Sequence, residues 1–168
     1  VSREPLVRLR EGGDVTLLSY GILVNQLLEG AELLAADGIQ AEVLKLNRIS
    51  PLDLETLGNF FDSTRRLLVL EDAMGAGCVG QRVAAILAEA GRLPSQVILK
   101  NMGKTFASEG SVPELYHSFG LDAAGVVKTV REAMNSDAKD EAGRAAGRAR
   151  PGGKPPGGPG RHRERAGV

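Results

Sequence analysis

Short runs of mostly apolar residues alternate along this chain with longer segments that have helical periodicity. The runs Val15–Tyr20 and Arg66–Glu71 are almost continuously apolar, which predicts strands covered on both faces of a sheet. Three further runs complete the predicted strands: Leu6–Leu9, Ala41–Leu46 and Gln96–Lys100. Strands that alternate with helices form mainly parallel sheets, so the pattern predicts an α/β sandwich with right-handed crossovers.

The segments between and after these strands carry helix signals. Between Ile22 and Ala36 the apolar residues recur every three or four positions, which is the spacing of one buried helix face. Ser50 and Pro51 are residue types preferred at a helix N-cap and first turn, so they predict a short helix that ends at about Phe61. The other predicted helices are Val79–Ala90, one opened by a capping box of Ser111 and Glu114, and one from Asp122 to about Met134.

The segment 136–168 differs in composition from the rest of the chain. It is rich in Gly, Pro, Arg and Ala and has almost nothing to bury, which predicts a disordered tail after a folded domain of residues 1–135. The tail has eight Lys/Arg and four Asp/Glu, which leaves 13 basic and 17 acidic residues before Ser136. An acidic body argues against a nucleic-acid partner. A nucleic-acid-binding arm and an out-of-frame read-through are the alternatives to a plain solvated tail.

The cysteine count, the apolar runs and the first residues predict the kind of cellular compartment in which the protein works. The single cysteine, Cys78, allows no internal disulfide, as is typical of a reducing, cytoplasmic protein. No apolar run approaches the roughly 20 residues of a membrane helix, and we expect no membrane partner. The start, Val1 to Pro5, has neither a signal pattern nor Met, which suggests a fragment or a processed chain.

The segment 75–80 matches the glycine pattern G-x-G-x-x-G between a predicted strand and a predicted helix. Such a turn can bring backbone N–H groups close to a pyrophosphate at the start of a helix. However, a dinucleotide-binding turn follows the first strand of its fold, whereas this turn follows a later strand. In addition, Glu71 and Asp72 would repel phosphate. Residues 99–101 offer no acid for a ribose where one is expected. A tight turn with close packing of helix on sheet is therefore the favoured interpretation.

Glu71 and Asp72 are the most conspicuous polar pair of the folded part. They stand at the carboxyl end of a strand, where ligands of α/β sheets gather, and paired acids can act as general acid and base. No His or metal-ligand set accompanies them, so a helix-cap or interface role is favoured. The candidate crevice or interface comprises Ser19, Tyr20, Glu71, Asp72, Gly75, Gly77 and Gly80.

The remaining reactive residue types are scattered. Cys78 precedes a helix, whose N-terminus would lower its pKa and make it a candidate nucleophile, but a small buried residue is the favoured interpretation. His117 is expected at a surface or interface, and His162 lies in the tail, so a zinc site is not indicated. Neither a G-x-S-x-G elbow nor a P-loop is found. We therefore assign no catalytic, cofactor-binding or metal-binding residue.

Four sequence segments, in order, resemble the C-terminal domain of the transketolase family. They are residues 9–21 (LREGGDVTLLSYG), residues 49–53 (ISPLD), residues 68–80 (LVLED with GAGCVG), and residues 109–126 (EGS, EL and GLDAAGV). The resemblance covers residues 6 to 134 and is strongest to the 1-deoxy-D-xylulose-5-phosphate synthases. One departure is Glu109, where that family usually has His.

The resemblance implies both a fold and a role. The fold is a three-layer sandwich around a five-stranded, mostly parallel sheet with one antiparallel edge strand. The parent enzymes use thiamine diphosphate and Mg²⁺ to join a two-carbon unit from pyruvate to glyceraldehyde 3-phosphate, in isoprenoid precursor synthesis. Their cofactor-binding domains precede this one, so we expect this chain to bind no cofactor and to be inactive alone. Its expected partners are those N-terminal domains and a second copy in a homodimer.

Three alternatives remain open from the sequence. The chain resembles, less closely, other transketolases and the β subunit of 2-oxoacid dehydrogenases. A stand-alone ligand-binding module would use the turn 75–80, and an interaction or nucleic-acid protein would use the basic tail.

Overall fold

The computed structural model describes residues 4–104 and 109–148. The strands are β1 (Leu6–Arg10), β2 (Val15–Tyr20), β3 (Ala41–Leu46), β4 (Arg66–Leu70) and β5 (Gln96–Lys100). The α-helices are α1 (Val24–Ala36), α2 (Leu54–Leu57), α3 (Val79–Glu89), α4 (Val112–Phe119) and α5 (Ala123–Arg148). A 3-10 helix, Gly21–Leu23, leads from β2 into α1. None of the helices in the described ranges is long and apolar enough to cross a membrane.

The five strands form one sheet in the order β1-β3-β2-β4-β5. The pairs β2–β3, β2–β4 and β4–β5 are parallel, whereas β1 runs antiparallel to β3 at the edge. This confirms the five-stranded, mostly parallel sheet with one antiparallel edge strand. We call the edge at which the parallel strands end the carboxyl edge, and the opposite one the amino edge. The chain passes from β3 across β2 to β4, so β2 and β4 flank the point at which the winding direction reverses.

Helices cover both faces of the sheet. One core cluster joins one face to α1 and α5, and its members include Leu17, Val43, Leu68, Leu27, Val126 and Val130. The second joins the opposite face to α2 and α3, and its members include Leu18, Leu44, Val69, Leu57 and Val83. Because the central strands are buried on both faces, they are continuously apolar, as the sequence predicted. The three-layer sandwich is confirmed.

The start of α2 corrects a sequence prediction. Ser50 and Pro51 were expected to open this helix, but it begins at Leu54 with Asp53 as its N-cap. The Asp53 carboxylate accepts the Thr56 N–H at 2.8 Å, and this hydrogen bond lowers the pKa of Asp53. Asp and Ser are about equally good N-caps, so cap preference alone does not decide which of the two is used. By contrast, the capping box of Ser111 and Glu114 forms at α4 as predicted.

The last helix is longer than the sequence predicted. We expected it to end at about Met134 and residues 136–148 to lack structure, but α5 continues to Arg148. Its added part, residues 135–148, has four Ala and two Arg, which are good helix formers, and extending an existing helix requires no new nucleus. The chain divides into two compact units between Met134 and Asn135. Residues 149–168, for which disorder was also predicted, lie outside the described residues.

Candidate functional site

The candidate site lies at the carboxyl edge, where β2 and β4 end side by side. Ser19 and Tyr20 are the last residues of β2, and Glu71 and Asp72 directly follow β4. The glycine-containing turn 75–80 then leads into α3. The structure brings Tyr20, Glu71 and the turn into direct contact.

Glu71 is the centre of this site. Its side chain is 1% exposed, and its Oε1 accepts the Val79 N–H at 2.8 Å while its Oε2 accepts the Gly80 N–H at 2.8 Å. The Tyr20 hydroxyl donates to Oε1 at 3.2 Å. These N–H groups belong to the first turn of α3. The first N–H groups of a helix have no backbone acceptor within the helix, and they carry a partial positive charge. Glu71 therefore caps α3, which is one of the two roles that the sequence favoured for the acidic pair.

The three glycines of the turn have different structural roles. A side chain at Gly80 would place Cβ 2.8 Å from both Glu71 Oε2 and Leu99 Cδ2, so α3 packs on the sheet at a distance that only glycine allows. Gly77 has a φ of +74°, in the left-handed region that glycine adopts without strain. Gly75 donates its N–H to the Gly103 carbonyl at 2.7 Å, which ties the turn to the loop after β5. The predicted tight turn with close helix–sheet packing is what the structure shows.

Four backbone N–H groups of this turn have acceptors within the chain. Glu71 accepts those of Val79 and Gly80, Gly103 accepts that of Gly75, and Gln81 Oε1 accepts that of Gly77 at 3.0 Å. A diphosphate would need the same N–H groups, and the Glu71 carboxylate would repel it. The turn therefore fits neither a dinucleotide nor the diphosphate of a thiamine cofactor. No group of three or more His, Cys, Asp and Glu side chains within 4–104 and 109–136 is placed to hold a metal ion.

The two residues that end β2 play different parts. Ser19 is fully buried and its hydroxyl donates to the Leu70 carbonyl at 2.7 Å, so it joins β2 to β4. Tyr20 is partly exposed at the mouth of the crevice. Burial, together with the negative charge of Glu71, raises the pKa of Tyr20 to about 12. The phenol is thus held protonated as a hydrogen-bond donor to Glu71.

Asp72 points away from this buried group. It is exposed, and one of its carboxylate oxygens accepts the Tyr116 hydroxyl of α4 at 3.2 Å. Burial of the Tyr116 ring, with the nearby Asp72 charge, raises the pKa of that tyrosine. The two acids were predicted as one pair, but each is bound to a different tyrosine. This division does not support a shared acid–base role for them.

Comparison with known proteins places this arrangement in a family. A family model described as "Transketolase, C-terminal domain" matches residues 5–126. The chain belongs to this family. A 1-deoxy-D-xylulose-5-phosphate synthase of Desulfitobacterium hafniense is 32% identical to this transketolase C-terminal domain over 121 residues, which are 71% of this chain and 19% of that protein.

The chain is also similar to a second curated protein and to a solved structure. The pyruvate dehydrogenase E1 component subunit beta of Staphylococcus epidermidis is 42% identical over 80 residues, which are 48% of this chain and 25% of that protein. A solved structure described as "Split gene transketolase, inactive beta4 tetramer" is 30% identical, with a TM-score of 0.69, over 80% of this chain and 44% of that one. The present chain thus spans a fifth to a quarter of the curated relatives, and the domain occurs as part of larger transketolase-like enzymes.

In this transketolase C-terminal domain, Cys78 and His117 have contacts typical of structural residues. Cys78 is buried as the N-cap of α3, and burial raises the pKa of its thiol despite the helix N-terminus. A raised pKa lowers the thiolate fraction at neutral pH, so the favoured interpretation as a small buried residue holds. His117 is exposed at the surface, as expected, and its Nδ1 lies 2.8 Å from Asp122 Oδ2. Burial opposes ionisation of Asp122, but hydrogen bonds from His117 and from the Gly125 N–H outweigh it and lower the pKa.

The sequence analysis missed a second polar cluster, at the amino edge. Glu42 is buried in β3; its Oε1 accepts the Arg8 Nε–H at 2.7 Å, and its Oε2 accepts the Thr16 hydroxyl at 2.8 Å. Thr16 and Thr64 are also within hydrogen-bonding distance, at 3.0 Å. These residues line a cleft of about 310 Å³. The available signal was a Glu and a Thr inside runs otherwise predicted as buried strands.

Proposed function

We propose that this chain is the non-catalytic C-terminal domain of a thiamine-diphosphate-dependent enzyme of the transketolase type, most similar to 1-deoxy-D-xylulose-5-phosphate synthase. The observation that carries the proposal is the occupation of the start of α3 by Glu71. At the one edge where an α/β sheet ordinarily binds a phosphorylated ligand, this domain uses its own carboxylate. The site is built to hold the fold, and the chemistry belongs elsewhere in the enzyme.

The parent enzyme, in this proposal, holds thiamine diphosphate and Mg²⁺ in the domains that precede this one. The cofactor supplies the electron sink for a two-carbon unit released from pyruvate, and glyceraldehyde 3-phosphate accepts that unit. This chain contributes contact with those domains and with a second copy of itself. We place the enzyme in the cytoplasm. The similar solved structure, described as an inactive tetramer of β chains, supports the expectation that the domain is inactive alone.

An activity assay with and without the missing domains tests this proposal. The chain is incubated with thiamine diphosphate, Mg²⁺, pyruvate and glyceraldehyde 3-phosphate, and release of carbon dioxide is followed. We expect none from the chain alone and turnover when the thiamine-binding polypeptide of the same organism is added. Turnover by the chain alone would contradict a non-catalytic role. An acceleration of the thiamine-binding polypeptide by this chain would support it.

A 2-oxoacid dehydrogenase is the second candidate parent. The observation that favours it is the 42% identity to a pyruvate dehydrogenase β subunit, although only over 80 residues. A dehydrogenase removes electrons from the two-carbon unit, whereas a synthase transfers the unit to an aldehyde. The mixture should therefore be assayed with an artificial electron acceptor in place of glyceraldehyde 3-phosphate. Reduction of that acceptor, without a sugar product, would select the dehydrogenase.

The stand-alone binding module makes a different prediction. It requires an adenine dinucleotide to displace Glu71 from the start of α3, and we expect no such exchange because the carboxylate is buried and fully hydrogen-bonded. Isothermal titration calorimetry with NAD⁺ and NADH measures this directly. Heat of binding that disappears on a substitution in the turn 75–80 would support the module instead.

A further inference from the structure

Large apolar side chains are exposed along the carboxyl edge. Ile22 follows β2, Ile49 follows β3 and Met74 follows β4, and they are 67%, 47% and 42% exposed. In the strand order β3-β2-β4 these three strands are neighbours in the sheet. At the usual strand spacing, the carboxyl ends of the three strands lie within about 10 Å of one another. We call these three residues the apolar rim. Single exposed apolar residues are normal on a protein surface, but a group at adjacent strand ends is typical of a contact surface.

The chain enters the domain at this same edge. Because β1 is antiparallel to β3, its first residue, Leu6, lies opposite Leu46, the last residue of β3. The Pro5 carbonyl accepts the N–H groups of Asn47 at 2.8 Å and of Arg48 at 3.2 Å, which fixes the start of β1 beside the loop that carries Ile49. A domain that precedes this one in the sequence is therefore delivered next to the apolar rim.

The buried carboxylate at this edge is compatible with being covered by a partner. Glu71 is already buried and hydrogen-bonded, so a partner that covers it does not have to desolvate an unpaired charge. Ile22 is held in the short helix Gly21–Leu23, whose next residue Leu23 is buried in the core. Because the backbone around Ile22 is already ordered, a partner that binds this side chain does not have to order a loop.

We propose that the apolar rim is the surface on which the preceding, thiamine-binding domain of the enzyme docks. This inference rests on the proposed function, and it adds the location of the contact and its apolar character. A second copy of the chain is the competing occupant. The direction of chain entry favours the preceding domain, because it brings that domain to this edge whether or not the chain self-associates.

The test compares rim variants with matched surface variants. Ile22→Asp and Met74→Asp change the rim, whereas Leu33→Asp on α1 and Leu93→Asp before β5 change leucines that are 48% and 47% exposed elsewhere. The probe is the thiamine-binding polypeptide of the same organism, expressed without this chain, and the dissociation constant is measured by calorimetry. We expect each rim variant to weaken binding about tenfold or more, as central interface residues do, and each control to change it by less than about twofold.

The outcomes separate this inference from the proposed function. If the wild-type chain does not bind the thiamine-binding polypeptide, both fail. If it binds and the rim variants bind equally well, the docking surface is wrong and the proposed function stands. If the rim variants lose self-association in analytical ultracentrifugation but keep their affinity for the polypeptide, the rim is a contact between copies and the inference is overturned. The milder Ile22→Ser and urea unfolding of every variant guard against a folding defect.

Discussion

The two edges of the sheet each contain a buried carboxylate, but the two are neutralised differently. At the carboxyl edge Glu71 accepts hydrogen bonds from two backbone N–H groups of α3 and from the Tyr20 hydroxyl. At the amino edge Glu42 accepts from the Thr16 hydroxyl and from Arg8, whose side chain is 43% exposed. Glu71 is thus surrounded by donors that belong to the fold itself, whereas Glu42 is paired with a side chain that reaches into solvent.

The difference shows where this domain is rigid. The donors around Glu71 are peptide groups held by α3, so they cannot turn to water when the carboxylate is removed. Arg8 can do so, because its side chain is already 43% exposed to water, and solvent screens the partner of an ion pair that is exposed in this way. The carboxyl edge should therefore tolerate substitution poorly and present a fixed surface, while the amino edge should tolerate it better.

The largest expected effect is that of Glu71→Gln. A glutamine has a single carbonyl oxygen, so one of the two peptide N–H groups would face the side-chain NH₂ group without an acceptor in a buried site. We expect a loss of about 3 kcal/mol in the free energy of unfolding, since a buried donor loses its partner and a helix start loses its negative charge. Urea denaturation followed by circular dichroism measures it. The exposed neighbour Asp72→Asn is the control, and equal effects of the two would refute a special role of Glu71.

The next effect is that of Gly80→Ala. The new Cβ would lie 2.8 Å from Glu71 Oε2 and from Leu99 Cδ2, so α3 would have to move away from the sheet. We expect a destabilisation of about 2 kcal/mol, as is usual for overpacking. Gly13→Ala is the matched control, because a Cβ there meets nothing within 4 Å. A Gly80→Ala protein as stable as the control would show that the start of α3 is not closely packed.

A smaller effect is expected for Glu42→Gln, the same substitution at the other edge. The amide oxygen can still accept one hydrogen bond, and the released Arg8 stays hydrated, so the loss should be about 1 kcal/mol. The decisive measurement is the difference between the two Glu→Gln variants under identical urea conditions. If Glu42→Gln is the more damaging, the contrast between the edges is reversed.

The smallest effect is that of Tyr20→Phe, which removes one hydrogen bond to Glu71 and should cost about 0.5–1 kcal/mol at neutral pH. The pKa of Tyr20 is about 12 when folded and 10.0 ordinarily, so the folded state holds this proton more tightly. The corresponding stability is complete below pH 10 and is lost as the pH rises toward 12. Ultraviolet titration of tyrosinate should show this late ionisation in the wild type, and its persistence in the variant would assign it to Tyr116 instead.

Much of the fold could be predicted because it depends on local patterns. The strands β2, β3 and β5 have the predicted bounds, and the capping box at Ser111 needs only residues three apart. The start of α2 could not be predicted as surely, since Ser50 and Asp53 are both good caps and local chemistry does not choose between them. The end of α5 was missed because composition alone does not say whether an existing helix is extended.

The sequence placed Tyr20 and Glu71 at one edge of the sheet, but it did not predict the contact between them. Tyr20 and Glu71 could be placed at one edge because the carboxyl ends of parallel strands meet at the same edge of a sheet. The hydrogen bond between them joins residues 51 apart, and the one between Thr16 and Glu42 joins residues 26 apart. Contacts over such separations depend on which strands become neighbours.

The sequence by itself determined the alternation of strands and helices, the glycine turn before α3 and the membership of the transketolase C-terminal domain family. These follow from the spacing of apolar residues and from short motifs, which act over a few residues. Only the tertiary structure decided that Glu71 rather than a ligand occupies the start of α3, and that Ile22, Ile49 and Met74 share one edge. The first depends on how α3 packs back on the end of β4, which brings Glu71 to N–H groups eight and nine residues later. The second depends on the order of the strands in the sheet, which brings together residues that are far apart in the chain.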